Sequence, residues 1–405
     1  MDTGKRDYLL TKIITEFEKA NSRHMGPIMI EDTALNQVIK SLISEKNWNR
    51  KFSEEFLKDK ISNIIINMIK EGNSEKAPYY LDEMIRDLNS YSIEQVVYIP
   101  LLGIKMSVPS IELGNVSLRY MDEDDAAELI GKIHHHYFEH ADIYKYIFKH
   151  VCSEFRIVAE PIYAVKRAEE ETRKVIDLLR YAIPFIPGLR LRIGLVGEVF
   201  RTRRFIVANS INSEGYYSSG SVIGSLDDLE ISPQNIKIME DIGIFRLSKM
   251  LKEDQICDFK EIILSSIHWF SSSQMKAEPE DQFLNLITCL ETILTPMDKR
   301  DPIVQNIAEG VAIIIDSNVI DRKKRTQQVR DLYNRRSSLS HHGKGNITEE
   351  ELRSLTSIAL SLLISVIDKS DEFITIKEFH KWIEYRKLGS CDSPSWKEYH
   401  EAISR

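Results

Sequence analysis

The sequence predicts a mainly helical protein with a smaller β component, an α+β fold in which helices dominate both ends. Apolar residues keep helical spacing through residues 1–91 and again from about 255 to 367. Between these stretches, β-branched and aromatic runs separated by Gly, Pro and Asn indicate short strands. These observations divide the 405 residues into an N-terminal helical region (1–91), an α+β module (92–250) and a C-terminal helical domain (251–405).

Composition limits the class of protein. The formal net charge of −8 argues against a wholly basic nucleic-acid coat protein, although a local patch can still bind RNA. The four cysteines are far apart and form no C-x-x-C pair, which is typical of reduced thiols in a cytosol. The N-terminus has no signal-peptide core, and the most apolar segment (358–367) is too short to cross a bilayer. We therefore expect a soluble, cytoplasmic protein with no membrane association.

The N-terminal region has helical spacing, for example at Leu9, Ile13 and Phe17, but no chemical signature. In the α+β module we predict two strand groups flanking long helices, and the clearest hairpin joins 189–200 to 204–211. The same module contains the run HHHYFEH at 134–140. His136 and His140 share a helical face there, but no further Cys or His has ligand spacing, so we expect no metal and no cofactor.

The C-terminal domain contains the most informative stretch, DLYNRRSSLSHHGKG at 331–345. On a helix, Val329, Leu332 and Tyr333 share an apolar face, and Arg336 lies near its centre while Arg335 points to the side. A charge on such a face is costly unless it is paired or borders a groove. A guanidinium can hold a phosphate and an imidazole can move a proton near neutral pH, so this combination points to phosphodiester chemistry.

Two neighbouring patterns complete the prediction. The helix with apolar residues at 283–294 has Glu291 at the edge of its stripe, either as an ordinary surface carboxylate or as a partner for Arg336. Seven basic residues between Arg322 and Arg336, Lys324 and Arg325 among them, form either a solvated face or a guide for an RNA backbone. After the motif, Thr348 and Glu351 have capping-box spacing, which predicts a new helix from about 349.

The run LYNRRSSLSHHG resembles the R-x4-6-H signature of HEPN domains, and is closest to the ApeA-like pattern L-Y-x-x-R-S-x-x-x-H-G. Leu332, Tyr333, Arg336, Ser337 and His341 match in order. The chain departs from the pattern where His342 replaces the usual glycine, so the working imidazole is either His341 or His342. The resemblance covers about the last third of the chain.

This resemblance implies an antiparallel helical bundle of HEPN type, active as a homodimer. It also implies a metal-independent endoribonuclease that leaves 2′,3′-cyclic phosphate ends. Arg336, His341 or His342, and Glu291 would be catalytic. The residues expected to contact RNA are Tyr333, Ser337, Arg335, Lys324 and Arg325, although packing and helix capping explain Tyr333 and Ser337 equally well.

The resemblance further implies a toxin-like role in bacterial defence against phage, in which the protein cuts tRNA or other cellular RNA in response to a phage-derived trigger. In that case residues 1–250 would sense infection or restrain the nuclease. The alternative is an inactive HEPN protein that serves as a nucleic-acid-binding or dimerisation module.

Overall fold

The computed structural model of the chain describes residues 3–22, 50–125, 150–186, 228–295, 302–342 and 346–388, together with 36, 39, 40, 43, 48, 127, 193–195, 203–208 and 215–220. For some of these, His341 and His342 among them, only the backbone is described.

Most of the described residues are helical and a smaller part forms β-sheet, which confirms the predicted α+β class. The α-helices are α1 (Thr3–Ser22), α2 (Glu54–Glu71), α3 (Ala77–Tyr91), α4 (Pro161–Ala182), α5 (Pro233–Asp241), α6 (Ile244–Leu251), α7 (Asp258–Met275), α8 (Pro279–Leu294), α9 (Ile303–Ile315), α10 (Val319–His342), α11 (Glu349–Asp368) and α12 (Ile376–Leu388). The strands are β1 (Ile93–Leu102), β2 (Ile104–Met106), β3 (Ser110–Leu113), β4 (Val116–Tyr120), β5 (Val151–Ala159), β6 (Gly194–Leu195), β7 (Arg203–Ala208), β8 (Gly215–Gly220) and β9 (Leu229–Ile231).

The chain divides into two compact units whose boundaries fall inside β1, β5 and α4. Unit 1 comprises Met1–Ile99 and Ser153–Glu171, and unit 2 comprises Pro100–Cys152 and Thr172–Arg405. The proposed division at 91 and 250 stays a prediction. Among the described residues, no helix has both the length and the apolarity needed to cross a bilayer.

Unit 1 is built on α1, α2 and α3, whose apolar faces share one buried core. The Ser53 hydroxyl caps the start of α2 by accepting from the backbone N–H of Phe56. The carboxylate of Glu160 is fully buried and accepts from the backbone N–H groups of Ser53, Ile162 and Tyr163 at 2.9, 2.6 and 2.7 Å. These bonds satisfy the buried charge and fix the start of α4 beside the start of α2.

The strands of unit 2 pair both with neighbours in the chain and with strands that are distant in sequence. β3 and β4 form an antiparallel hairpin, and β2 pairs in parallel with β9. Among the described residues, which include only 193–195 of the first predicted strand, the predicted pairing of 189–200 with 204–211 is absent. β7 pairs antiparallel with β8, and β6, the described part of the predicted first strand, pairs with the end of β1. β8 reads GYYSSG, and its glycines and serines gave no strand signal.

The C-terminal helices of unit 2 pack as neighbours in sequence, α7 on α8 and α9 on α10, while α11 packs on α7, α8 and α9. Gly243 begins α6 at a φ of +83°, where an added Cβ would lie 2.6 Å from the Ile367 side chain on α11. Only glycine fits this approach without movement of Ile367. The predicted capping box is confirmed, because Thr348 and Glu351 bond reciprocally at the start of α11. The assignment of α7–α12 to the HEPN type stays a proposal.

Candidate functional site

The helix α10 carries the whole arginine–histidine motif. Its apolar side is buried at Val329, Leu332 and Tyr333, as predicted. Arg336 follows one turn after Leu332 and Tyr333, but its side chain is 37 % exposed. The helix therefore leaves the core between Tyr333 and Arg336, and the guanidinium lies at the rim of the helical bundle, within reach of a ligand.

Glu291, on α8, contacts both Tyr333 and Arg336. Its Oε1 accepts a hydrogen bond from Tyr333 Oη at 2.5 Å and lies 3.5 Å from Arg336 Nη2. The Arg336 guanidinium carbon lies 5.6 Å from the centre of the Tyr333 ring. The predicted pairing of Glu291 with Arg336 is therefore present. We call Glu291, Tyr333 and Arg336 the Glu291 cluster.

The Tyr333 hydroxyl keeps its proton near neutral pH. Burial, followed by the hydrogen bond to Glu291 and the charge of that carboxylate, raises the pKa of Tyr333 to about 12, and the nearby Arg336 charge opposes this rise. A protonated phenol is a fixed donor to the carboxylate. Tyr333 therefore orients Glu291, and Glu291 in turn holds Arg336 in place. The sequence predicted the carboxylate–arginine pair but missed this phenol–carboxylate bond.

Arg335 points elsewhere, as its position on the helix predicted. Its Nε donates to Glu351 Oε1 at 2.8 Å, and its Nη2 donates to the carbonyl of Asn346 at 2.9 Å. The pKa of Glu351 is lowered chiefly by the backbone N–H of Thr348, with further contributions from the Thr348 hydroxyl and Arg335. Arg335 thus ties α10 to the start of α11, and its predicted contact with RNA stays a prediction.

The two histidines end α10, and the structure describes only their backbone. On an ideal helix, position 341 lies about 140° around the axis from position 336 and about 7.5 Å along it, while position 342 lies about 120° away in the other direction. Neither histidine position shares the face of Arg336. Ser337, also a predicted contact, is exposed on the same helix.

The basic residues upstream in α10 differ in their partners. Arg325 Nε donates to Asp316 Oδ2 at 3.2 Å and its Nη1 donates to Gln328 at 3.0 Å. Lys324 is 77 % exposed and lies 4.0 Å from Asp321. The Arg325 side chain therefore joins α10 to the end of α9, whereas Lys324 remains open to solvent.

A basic groove lies between α9, α10 and α12, with a volume of about 420 Å³. Arg322, Lys323 and Arg330 line it from α10, and Lys387 lines it from α12. Glu309 also lines it and forms ion pairs with Lys387 and with Arg330. Sequence reasoning missed Lys387 because α12 is distant in the chain from the basic run.

No group of three or more His, Cys, Asp or Glu side chains is arranged to hold a metal ion in the part of the chain that the structure describes. His136 and His140, the weak metal candidate of the sequence, lie outside the described residues.

No protein-family model, no curated protein and no solved structure matches this chain.

Proposed function

We propose that the protein is a metal-independent endoribonuclease of the HEPN type, and that the Glu291 cluster forms the phosphate-binding part of its active site. The observation that carries the proposal is the position of Arg336. It is a permanent cation at the rim of the bundle, oriented by Glu291, on the same helix as His341 and His342. A partly exposed guanidinium with a fixed orientation suits a phosphate better than a freely rotating one.

The reaction needs no nucleophile from the protein, because RNA carries its own 2′-hydroxyl. One imidazole removes the proton of this hydroxyl, and the oxygen attacks the neighbouring phosphorus. The bond from phosphorus to the 5′ oxygen breaks, and a second imidazole, protonated beforehand, gives its proton to that oxygen. The products are a 2′,3′-cyclic phosphate and a 5′-hydroxyl. Arg336 stabilises the negative charge that grows on the phosphate oxygens.

A pair of chains would place two imidazoles around one phosphate. The base and the acid act on opposite sides of the phosphorus, yet positions 341 and 342 are adjacent and both diverge from Arg336 around α10. A two-fold axis beside the motif would bring a second copy of α10 to the same cleft. We therefore propose a homodimer through the C-terminal helices, with His341 as the working imidazole of each chain.

The dimer is tested by dilution. Sedimentation measures the mass, and cleavage is measured across the same concentration series. Specific activity should fall as the dimer dissociates. If the monomer keeps full specific activity at concentrations where no dimer is present, the proposal of a composite site is wrong. The proposed cleavage reaction is not contradicted by that result.

The basic groove on the flank of α10 fits the backbone of RNA, because Arg322, Lys323 and Lys387 offer several cations along one surface. The resemblance to HEPN proteins adds the proposed role, a toxin-like cleavage of tRNA or other cellular RNA during phage infection.

The experiment that tests the proposed function is RNA cleavage in EDTA, with the ends of the products mapped. Wild type is compared with Arg336→Ala and with Arg353→Ala, an exposed arginine on α11 that also pairs with a carboxylate, Glu349. We expect wild type and the Arg353 variant to cut RNA and the Arg336 variant to be inactive. Equal cleavage by all three proteins would overturn the proposal. Growth arrest on expression in bacteria is measured in parallel, because an enzyme that requires a trigger does not cleave RNA when it is purified without that trigger.

The ion pair between Glu291 and Arg336 supports a second candidate function. Glu291 already occupies one side of the Arg336 guanidinium, as in a purely structural pair. In that case the domain binds RNA or a second copy without cutting. Retardation of RNA in a native gel, without cleavage and without toxicity in cells, would favour this function.

A further inference from the structure

Unit 2 contains a second polar cluster, which shares no residue with the Glu291 cluster. On α4, Asp177 accepts two hydrogen bonds from α7: one from His268 Nδ1 at 2.7 Å and one from Ser271 Oγ at 2.5 Å. Arg180 Nη1 lies 3.9 Å from the same carboxylate. We call Asp177, His268 and Ser271 the Asp177 cluster.

The bond to Asp177 fixes the imidazole and leaves one ring nitrogen for a ligand. A carboxylate is an acceptor, so Nδ1 of His268 carries the proton, and Nε2 is the remaining polar atom of the ring. The His268 side chain is 59 % exposed, whereas Asp177 is only 15 % exposed. The mostly buried carboxylate of Asp177 therefore holds the imidazole of His268 in place at the surface.

His268 borders a pocket of about 400 Å³ between α4, α6 and α7. Its floor is apolar and buried at Leu178, Met250 and Ile267. Trp269 lies at the rim beside His268, with the two ring centres 5.9 Å apart and the rings nearly edge to face. An apolar pocket with a few convergent polar groups at one side is the usual form of a small-molecule site.

The charges around the pocket favour an anion. Among the described residues, the acids that line it are engaged, because Asp177 binds His268 and Ser271, and Glu253 forms an ion pair with Lys260 at 2.7 Å. Lys174 also lines the pocket from α4. The hydrogen bond to Asp177 raises the pKa of His268, against the effects of burial and of Arg180, so a larger fraction of the ring is cationic near neutral pH.

We propose that this pocket binds a small organic anion, an apolar ring or chain that carries one phosphate or carboxylate group, with His268 Nε2 bonded to the anion and the apolar part lying on Leu178, Met250 and Ile267 beside Trp269. The inference does not depend on the nuclease proposal, because no residue of the Glu291 cluster lines this pocket.

The test uses the whole 405-residue chain and four probes: phenyl phosphate, benzoate, phenol and inorganic phosphate. Binding is followed by the NMR signals of the Trp269 indole and of the His268 ring, assigned through Trp269→Phe and His268→Gln. We expect phenyl phosphate or benzoate to shift both signals in a saturable way, while phenol and inorganic phosphate bind far more weakly. The stronger of the two anions identifies the preferred group.

His268→Gln should weaken binding of that anion about ten-fold to hundred-fold, as expected for loss of a charge-assisted hydrogen bond. The matched control is Arg246→Gln, which also removes a partly exposed, carboxylate-paired cation but lies outside the pocket. Because His268 is exposed, its replacement should leave the fold intact, and a thermal melt checks this.

Three results would overturn the proposal. The first is no saturable shift with either anion, and the second is equal binding of phenol and phenyl phosphate. The third is an unchanged affinity in a folded His268→Gln protein.

Discussion

Two carboxylate-centred clusters in unit 2 are built from the same kinds of group. In the Glu291 cluster a carboxylate accepts from a tyrosine hydroxyl and pairs with an arginine, and in the Asp177 cluster a carboxylate accepts from a serine hydroxyl and from a histidine. They differ in the cation. An arginine side chain stays charged over the accessible pH range, whereas a histidine side chain can gain or lose its charge there.

The difference shows what each cluster can do. The Glu291 cluster holds the Arg336 guanidinium in place, and its phenol keeps its proton near neutral pH because the pKa of Tyr333 is raised to about 12. Its proposed chemistry therefore depends on imidazoles outside it. The Asp177 cluster contains its own titratable group and lies beside an apolar pocket, which suits ligand binding.

The largest expected effect concerns the imidazole that the Glu291 cluster lacks. Replacement of His341 with Ala should lower RNA cleavage roughly 10²-fold to 10⁴-fold, the range for loss of a general acid or base. His342→Ala should only weaken cleavage, because His341 holds the register of the motif. The measurement is the initial rate of cleavage in EDTA. If His341→Ala matches wild type, while His342→Ala is inactive, the working imidazole is His342.

The second largest expected effect concerns the geometry of the Arg336 guanidinium. Arg336→Lys keeps the charge but loses the planar fork, so cleavage should fall about 10²-fold to 10³-fold, as for loss of one transition-state donor. The substrate affinity should change less than the rate. Arg353→Lys is the control. Full activity of Arg336→Lys would show that only the charge matters and not its geometry.

A smaller effect concerns the buried hydroxyl of the Glu291 cluster. Glu291→Ala leaves the Tyr333 hydroxyl, in a residue only 6 % exposed, without its acceptor, which should cost about 1–3 kcal/mol of stability. Tyr333→Phe removes the donor as well, so the double variant should lose less stability than the two single variants together. Thermal or urea unfolding measures all four proteins, and additive losses would contradict the coupling.

The smallest effect tests the titratable cation of the Asp177 cluster. An NMR titration should give His268 a pKa above the ordinary value of histidine, and Asp177→Asn should lower it again, because the amide cannot stabilise the imidazolium as a carboxylate does. The linkage between proton binding and folding fixes how this pKa shift changes stability with pH. A pKa that is raised in the folded state contributes stability that is present below the unfolded pKa and is lost as pH rises through the folded pKa. If the pKa of His268 in Asp177→Asn equals that in wild type, Asp177 does not raise the pKa of His268.

The sequence predicted those parts of the site for which the spacing of residues within one helix gives a signal. The apolar face of α10 follows from helical spacing, and the capping box of α11 follows from two residues three positions apart. The pairing of Glu291 with Arg336 could be predicted because each is polar on or beside an apolar stripe, and such groups are stable when they meet.

Other features depend on contacts that no local pattern encodes. Asp177 and His268 are 91 residues apart, and each has an ordinary surface appearance in its own helix. Lys387 reaches the basic groove only because α12 folds beside α9. The β7–β8 hairpin was missed because pairing, rather than the propensity of GYYSSG, makes β8 a strand.

The bonds of Arg335 have a consequence for how this region can change in evolution or by engineering. Arg335 is bonded to the Asn346 carbonyl and to Glu351, and Glu351 is also part of the capping box, so the chain is anchored on both sides of residues 336–345. A substitution between the two anchors leaves both in place, whereas an insertion changes the number of residues that join them. Related chains should therefore keep the number of residues between this arginine and the threonine of the capping box constant. Arg336, His341 and His342, on which the proposed chemistry depends, lie between those two positions, so a substitution there can change the chemistry and leave both anchors in place.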